Sequence, residues 1–405
     1  MAVKGMRKGE GSITPWPQRW EWRCVLLALM ALCLAACSGS SELGGLFRDS
    51  GSDTQPPQIP TGGKKVALLL PLSASGETQR IAASMKQAAE LALIDAGNAG
   101  ITLITKDTGG TPNGAATAAE AALKEGAELI LGPLLSIEVQ AVKPIAEGRD
   151  VKIVAFSSVS TVAGQGTYLL SFLPEEEIGT IVRHAAAQQR RRIAVLLPKT
   201  QYGTNVEQAL MKAARNSGVL IAAAERYSRE SINEGEPAQK IAQIITDPAS
   251  SIDALLIPEG GEQLRALGVI LTQNGVNPQK TMILGTGLWD DKLTPSTPIA
   301  QGGLYAGVAP ALVQRFESRY SSTYGAKPPR IASLAYDGVS LAIGLAKHGG
   351  FTAAAIGSSD GFQGQNGLFR FRQDGLIERG LSILEMTPSG PKVVEPAPSR
   401  FTAGF

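Results

Sequence analysis

The stretch VALLLPL, residues 66–72, decides the fold. It is apolar without alternation, follows Lys65 and runs into the turn-forming Ser73-Ala74-Ser75-Gly76. A short run of that kind reads as a strand buried on both faces, the form strands take in parallel sheets. Working outward, 79–96 places apolar residues at helical spacing, and ITLITKD (101–107) reads as the next strand. A helix over 113–125, the strand ELILGP, a helix over 137–147 and the strand VKIVAF follow. Four βα units in succession predict a parallel sheet covered on both sides. A second series begins with a helix from Glu175 and continues through RIAVLLP, a helix over 205–216 and a strand over 219–224. It then runs through a helix over 236–245, IDALLIP, a helix over 262–274 and TMILG. Helices over 312–324 and 331–348 come next, and the tail NGLFRFRQDGLIERGLSILEMTPSGPKVV alternates around Asp-Gly and Ser-Gly turns, as antiparallel strands do. The fold class is α/β, with two Rossmann-like doubly wound lobes and a late return of the chain.

Upstream of the first strand, Lys4, Arg7, Lys8, Arg19 and Arg23 precede an apolar run over 25–34, the layout of a secretory signal peptide. That run is too short to cross a hydrocarbon core, which needs about twenty residues. Leu34-Ala35-Ala36-Cys37 resembles the bacterial lipobox, which implies cleavage after residue 36 and lipidation of Cys37. Residues 38–63, rich in Gly, Ser, Pro and Asp, read as a tether with a reach on the order of 30 Å. The expected organisation is a signal peptide (1–36), a disordered tether (37–63), the folded body and a short tail (395–405). All 3 cysteines lie at or before position 37, so the mature body has no disulfide framework, Cys nucleophile or thiolate metal site. The formal net charge of +2 owes its sign to the signal, which carries five Lys/Arg against Glu10 and Glu21. The near-neutral body lacks the electrostatic footprint of a nucleic-acid binder.

Catalytic groups are scarce. The 2 histidines, His184 and His348, fall within and at the end of predicted helices, and a cation near a helix C-terminus is favourable in its own right. No HExxH, GxSxG, GxxxxGK[ST] or GxGxxG occurs, and the one Ser-x-x-Lys (Ser389 to Lys392) contains Gly390 and Pro391, which break the helix it would need. Glu175-Glu176-Glu177 after Pro174 opens a helix, and Arg190-Arg191-Arg192 closes it, each on the side the dipole favours. No enzyme activity, cofactor or metal is expected. Ligands of doubly wound sheets bind beyond the carboxyl ends of the strands, which here means the loops 71–76, 132–136, 157–161, 200–204, 258–261 and 285–291. Three of these are rich in Ser and Thr, suited to neutral hydrogen bonding; the last holds Trp289, Asp290 and Asp291.

PLSASGE after the first strand, LGPLLSIEVQAVKPIAE at the third, SSVST after the fourth, QYG at a second-lobe helix and AYDG in a late helix resemble the leucine/isoleucine/valine-binding family of type I periplasmic binding proteins. The resemblance implies two lobes joined by three crossovers, the first formed by 64–175 and 308–347, the second by 176–307 and 348–394. It implies a ligand held between them, with Ser136 and Thr161 on its carboxylate, Val159 and Ser160 supplying backbone, and Tyr202 opposite. Ser73 and Ser157 fall in the same loops. Where amino-acid binders carry an aromatic residue and an ammonium-pairing acid, this chain has Gly260-Gly261 and Gly287, with Glu259 and Asp290 as neighbouring acids. Two non-catalytic roles follow from the resemblance. One is a lipid-anchored receptor for a small polar, amino-acid-like solute, serving an ABC permease. The other is an outer-membrane lipoprotein that activates a penicillin-binding peptidoglycan synthase. The missing acid lends the second a mechanistic edge, as does Ser38 where an inner-membrane lipoprotein would carry Asp.

Overall fold

The computed structural model describes residues 63–401, apart from 98–99, 231 and 233–234. The expected signal peptide, Cys37, nearly all of the expected tether and the last residues of the tail lie outside the described residues.

The first lobe is built from β1 (Lys64–Leu70), α1 (Gly76–Ala96), β2 (Ile101–Asp107), α2 (Pro112–Lys124), β3 (Leu129–Leu131), α3 (Ser136–Glu147), β4 (Lys152–Ala155) and β5 (Thr167–Leu169). Its five strands are parallel in the order β2-β1-β3-β4-β5. The 66–72 stretch is buried on both faces: Val66, Leu68 and Leu70 point into one core with α1, and Ala67 and Leu69 into another with α2 and α3. Each fully buried leucine contributes roughly 1.5–3 kcal/mol relative to an exposed one, and this is why no polar residue interrupts the run. β5 is a strand that the sequence did not announce. Its three residues pair with β4 beside the turn Gly164–Thr167, too short a run for periodicity to register.

The second lobe runs through α4 (Pro174–Ala187), β6 (Arg192–Pro198), α5 (Gln201–Ser217), β7 (Leu220–Tyr227), α6 (Glu236–Thr246), β8 (Ala254–Leu256), α7 (Gly261–Gln273), β9 (Met282–Gly285) and β10 (Leu304–Gly307). β6 repeats the pattern of β1, with Ala194 and Leu196 facing one core and Ile193, Val195 and Leu197 the other. The chain then returns to the first lobe as α8 (Pro310–Tyr324) and α9 (Ala332–His348), which pack with α1. After α10 (Ala353–Ile356) come β11 (Phe362–Gly364), β12 (Gly367–Phe371) and β13 (Ile377–Arg379), a small antiparallel sheet, and then β14 (Ser382–Thr387) and β15 (Gly390–Glu395). β14 pairs antiparallel with β10, completing a seven-stranded sheet ordered β15-β14-β10-β9-β8-β6-β7.

The chain thus crosses between lobes three times, after β5, after β10 and after β13. The last crossing is later than the expected boundary at residue 348. Phe351, Ile356, Phe369, Phe371 and Ile377 all belong to the first core, and Phe371 stacks on Tyr168 of β5 at 5.4 Å between ring centroids. Asp337, the buried acid of AYDG, fastens that segment to α9: it accepts from the Gln365 backbone N–H at 2.6 Å and from Asn366 Nδ2 at 2.8 Å. The alternating tail is antiparallel as expected, but alternation cannot say which sheet a strand joins. Among the described residues no helix is long and apolar enough to cross a membrane.

Candidate functional site

Both sheets reverse their strand order once. In the first the reversal lies between β1 and β3, in the second between β6 and β8. Crevices at such points, beyond the carboxyl ends of the strands, are where open α/β sheets bind ligands. The chain leaves the first lobe at the carboxyl end of β5 and the second at the carboxyl end of β10, so both carboxyl edges adjoin the crossovers. Ser73 and Ser136 flank the first reversal, and Tyr202 and Glu259 flank the second.

On the first wall, Ser73 is exposed, and its hydroxyl and backbone N–H both donate to Asp107, which also takes the Gly109 N–H at 2.9 Å. Burial works against the Asp107 charge, but these bonds hold its pKa below the usual carboxylate range. Ser136 opens α3 and is half-buried. Glu138, fully buried two residues on, reaches back to the Leu135 N–H at 3.2 Å and accepts from Thr108, which fixes the start of the helix. Burial raises the Glu138 pKa, opposed by those bonds. The Ser157 hydroxyl is buried and accepts from the Val159 N–H at 3.2 Å, shaping the loop that carries Ser160 and Thr161 into a single 3₁₀ turn. Among the described residues, the side chains of Ser136, Ser160 and Thr161 make no hydrogen bond.

On the second wall, Thr200 caps α5 by accepting from the Gly203 N–H at 3.2 Å, which presents Tyr202 at the head of the helix. The Tyr202 hydroxyl donates to Thr286 Oγ1 at 2.9 Å, and burial together with the negative charge of Glu177 pushes its pKa upward. Glu259, 2% exposed, accepts from Tyr227 Oη at 2.6 Å and from Nε and Nη2 of Arg229 at 2.9 Å each. Arg229 reaches from beyond β7 to a residue beyond β8, so this cluster spans the end of β6 at the reversal point. Its own side chain stays 40% exposed. Asp290 is exposed and makes no side-chain hydrogen bond among the described residues; Asp291 accepts from the Gly261, Leu293 and Thr294 N–H groups.

Gly287 shows why the acid is missing there. A Cβ at that position would come within 2.4 Å of Glu177 Oε1 and 2.5 Å of Arg330 Nη1. The Gly287 N–H donates to Glu177 Oε2 at 2.9 Å, its carbonyl accepts from Arg330 Nη1 at 3.2 Å, and Arg330 Nη2 meets Glu177 Oε1 at 3.3 Å. A carboxylate does sit beside residue 287, but it comes from α4 and already carries its own cation. Arg330, from the first lobe, also lies 4.0 Å above the Phe172 ring in the first crossover, and Arg379, beside the third, lies 5.1 Å from the same ring. Arg379 Nε donates to Ser171 O at 3.2 Å, its backbone N–H donates to Glu176, and Glu176 pairs with Arg372 at 3.6 Å. The acidic helix start expected to serve the dipole therefore also anchors the crossovers.

Sequence reasoning placed the loops and the hydroxyls. It missed Tyr227, Arg229, Thr286 and Arg330, and it gave Glu177 no role beyond helix stabilisation. Tyr227 and Arg229 close the second-lobe strand as Arg226-Tyr227-Ser228-Arg229, a polar strand end that could have drawn notice. Two recesses, of about 420 Å³ beside His184 and Glu395 and about 230 Å³ beside Asp95, Arg319 and Gln365, are lined by none of these loop residues. Among the described residues no cluster of His, Cys, Asp and Glu could hold a metal ion.

Comparison with known proteins agrees with this architecture. The family profile described as periplasmic binding protein matches residues 64–391. A search of curated proteins returns no match. Among solved structures, the chain is similar to a Rhodospirillum rubrum protein assigned to branched-chain amino acid ABC transport, with a TM-score of 0.69 at 18% identity over 82% of this chain and 100% of that one. An ABC transporter substrate-binding protein from Sphaerobacter thermophilus gives 0.67 at 19% identity, over 83% and 98%. An ABC transporter solute-binding protein from Rhodopseudomonas palustris BisB5, solved with 3,4-dihydroxybenzoic acid, gives 0.60 at 20% identity, over 84% and 98%. At such identities the likeness concerns the fold, a type I two-lobe architecture.

Proposed function

We propose that this chain, which belongs to the periplasmic binding protein family, is a non-catalytic solute-binding lipoprotein that holds a small polar ligand in the cleft between its lobes and presents it to an ABC permease. One observation carries the reading. Both strand-order reversals lie at carboxyl edges that adjoin the crossovers, and the first lobe offers three hydroxyls unengaged among the described residues, those of Ser136, Ser160 and Thr161, at the start of α3 and in the loop after β4. The similar solved structures from ABC transport support it. Closure would turn on the three crossovers, the usual hinge for ligand capture between two domains. Cys37 would carry the lipid and the tether would let the body move near the membrane. Changing Ser136 and Thr161 to Ala should weaken ligand binding by about 1 kcal/mol per lost hydrogen bond. Unchanged calorimetric titrations in both variants would remove the cleft from the account.

A second reading, activation of a penicillin-binding peptidoglycan synthase from the outer membrane, is favoured by the Gly287 site. The position that would bind a ligand ammonium is filled by the protein's own Glu177 and Arg330, so the fold could serve as a docking body. Pull-down of the lipidated protein from native envelopes separates the two: recovery of a permease supports the receptor, and recovery of a synthase the activator.

A further inference from the structure

The cleft carboxylates are already engaged by the protein itself. Glu259 is held by Arg229 and Tyr227, Glu177 by Arg330 and the Gly287 N–H, Asp291 by three backbone N–H groups and Thr294, and Asp107 by Ser73 and Gly109. Oε2 of Glu175 has no partner, yet it is sealed from solvent and offers a ligand nothing. Among the described residues Asp290 is exposed and unengaged, and its charged neighbours are Arg330, Lys327, Glu317 and Asp291, so a cation arriving there competes with two resident ones; Glu230, exposed beside Arg229, accepts from Ser228. Donors, in contrast, remain free on both walls. Arg229 uses Nε and Nη2 on Glu259, which leaves Nη1 unengaged on a side chain 40% exposed. In the first lobe, the hydroxyls of Ser136, Ser160 and Thr161 are likewise unengaged among the described residues. An ammonium moved into this cleft would lose water without gaining a carboxylate, which is strongly unfavourable, whereas an acceptor meeting a free guanidinium edge makes a charge-assisted hydrogen bond.

We infer that the cleft takes an organic anion with an acceptor at each end and no primary ammonium, such as a dicarboxylate, one end meeting Arg229 and the other the Ser136–Thr161 wall. This rests on the solute-binding reading and specifies its ligand class. Arg229 then acts as the specificity-determining residue, set at its angle by Glu259.

The test is calorimetric titration of the full-length protein in detergent with glutarate, benzoate and leucine. Glutarate should bind at least tenfold more tightly than leucine, with benzoate between them. The double variant Arg229→Gln/Glu259→Gln removes the ion pair as a unit, so no unpaired charge is left buried, and should weaken glutarate binding tenfold or more with a cooperative melting transition retained. Arg229→Lys, which keeps the charge on Glu259 balanced, should also weaken glutarate and provides the readout if the double variant does not fold. Leucine binding most tightly, especially if Asp290→Asn abolishes it, overturns the anion inference while leaving a solute-binding protein. Undiminished glutarate affinity in the Arg229 variants also overturns it. Binding of none of the three probes overturns the anion inference, while the solute-binding reading stands or falls with the molecule that co-purifies with the protein.

Discussion

Gly287 and Gly203 are both closely packed, but against different matter. The Cβ of an alanine at 287 would press on the ends of two side chains, Glu177 and Arg330, whereas at 203 it would lie 2.0 Å from the backbone carbonyl of Pro198. Side-chain ends can move and a strand carbonyl cannot. Gly203→Ala should therefore cost more, on the order of 3 kcal/mol or above, and Gly287→Ala about 1–2 kcal/mol. Denaturant melts of the two variants check the order, and equal costs would contradict the placement of Glu177 and Arg330. Glu176 supports a second prediction at this scale. Its burial raises the pKa from 4.5 to about 7, against the pull of Arg372 and Arg183 and the Arg379 N–H, with Glu378 adding to the rise. A carboxyl with a raised folded pKa binds its proton more tightly when folded, so its contribution to stability is complete below the unfolded value and is lost as pH climbs toward 7. Between those limits the slope is on the order of 1 kcal/mol per pH unit. Glu176→Gln should flatten the fall in melting temperature between pH 5 and pH 7.5; a variant that keeps the full slope would place the titration elsewhere.

At the scale of elements, α5 shows how much of the site was readable in advance. Its polar start, Thr200 followed by Gly203, and its end at Gly218 with φ of 63° are standard helix boundaries, and they position Tyr202 at the second reversal point. Thr200→Ala should cost about 1 kcal/mol through loss of the cap, and should weaken ligand binding as well because Tyr202 sits in the freed turn. A melt that moves without any change in affinity would detach Tyr202 from the cleft. The parallel strands were legible because VALLLPL and RIAVLLP bury both faces and tolerate no polar residue. β5 was not, since three residues carry no period. The placement of β12 and β13 was also hidden: their Phe and Ile side chains would suit either core, and what commits them to the first is Asp337 gripping Gln365 and Asn366 some thirty residues away in the chain. Hydroxyls at strand ends can be read from loop composition. Whether Glu259 is free or already paired cannot, because its partner Arg229 comes from a different strand end.

At the scale of the molecule, the two wound sheets are tied at the crossovers by a compact charged cluster. Glu176, Glu177, Arg330, Arg372 and Arg379 converge there around Phe172. Breaking one member leaves a charge buried without its partner, which typically costs 3–5 kcal/mol. Arg330→Gln should accordingly destabilise the whole body and widen the range of lobe orientations, visible as a larger radius of gyration in small-angle scattering; an unchanged scattering curve would remove Arg330 from the tie between lobes. The proposed lipid anchor acts at the same scale: Cys37→Ser should release the protein from membranes into the soluble fraction, and continued sedimentation with them would contradict it.

The most direct test of a cleft that holds a solute is native mass spectrometry of the protein purified from its own envelopes. The wild-type chain should carry one small organic molecule per polypeptide, absent from the Ser136→Ala/Thr161→Ala variant. A wild-type spectrum with only the bare polypeptide mass, or an adduct undiminished in the variant, would contradict the account.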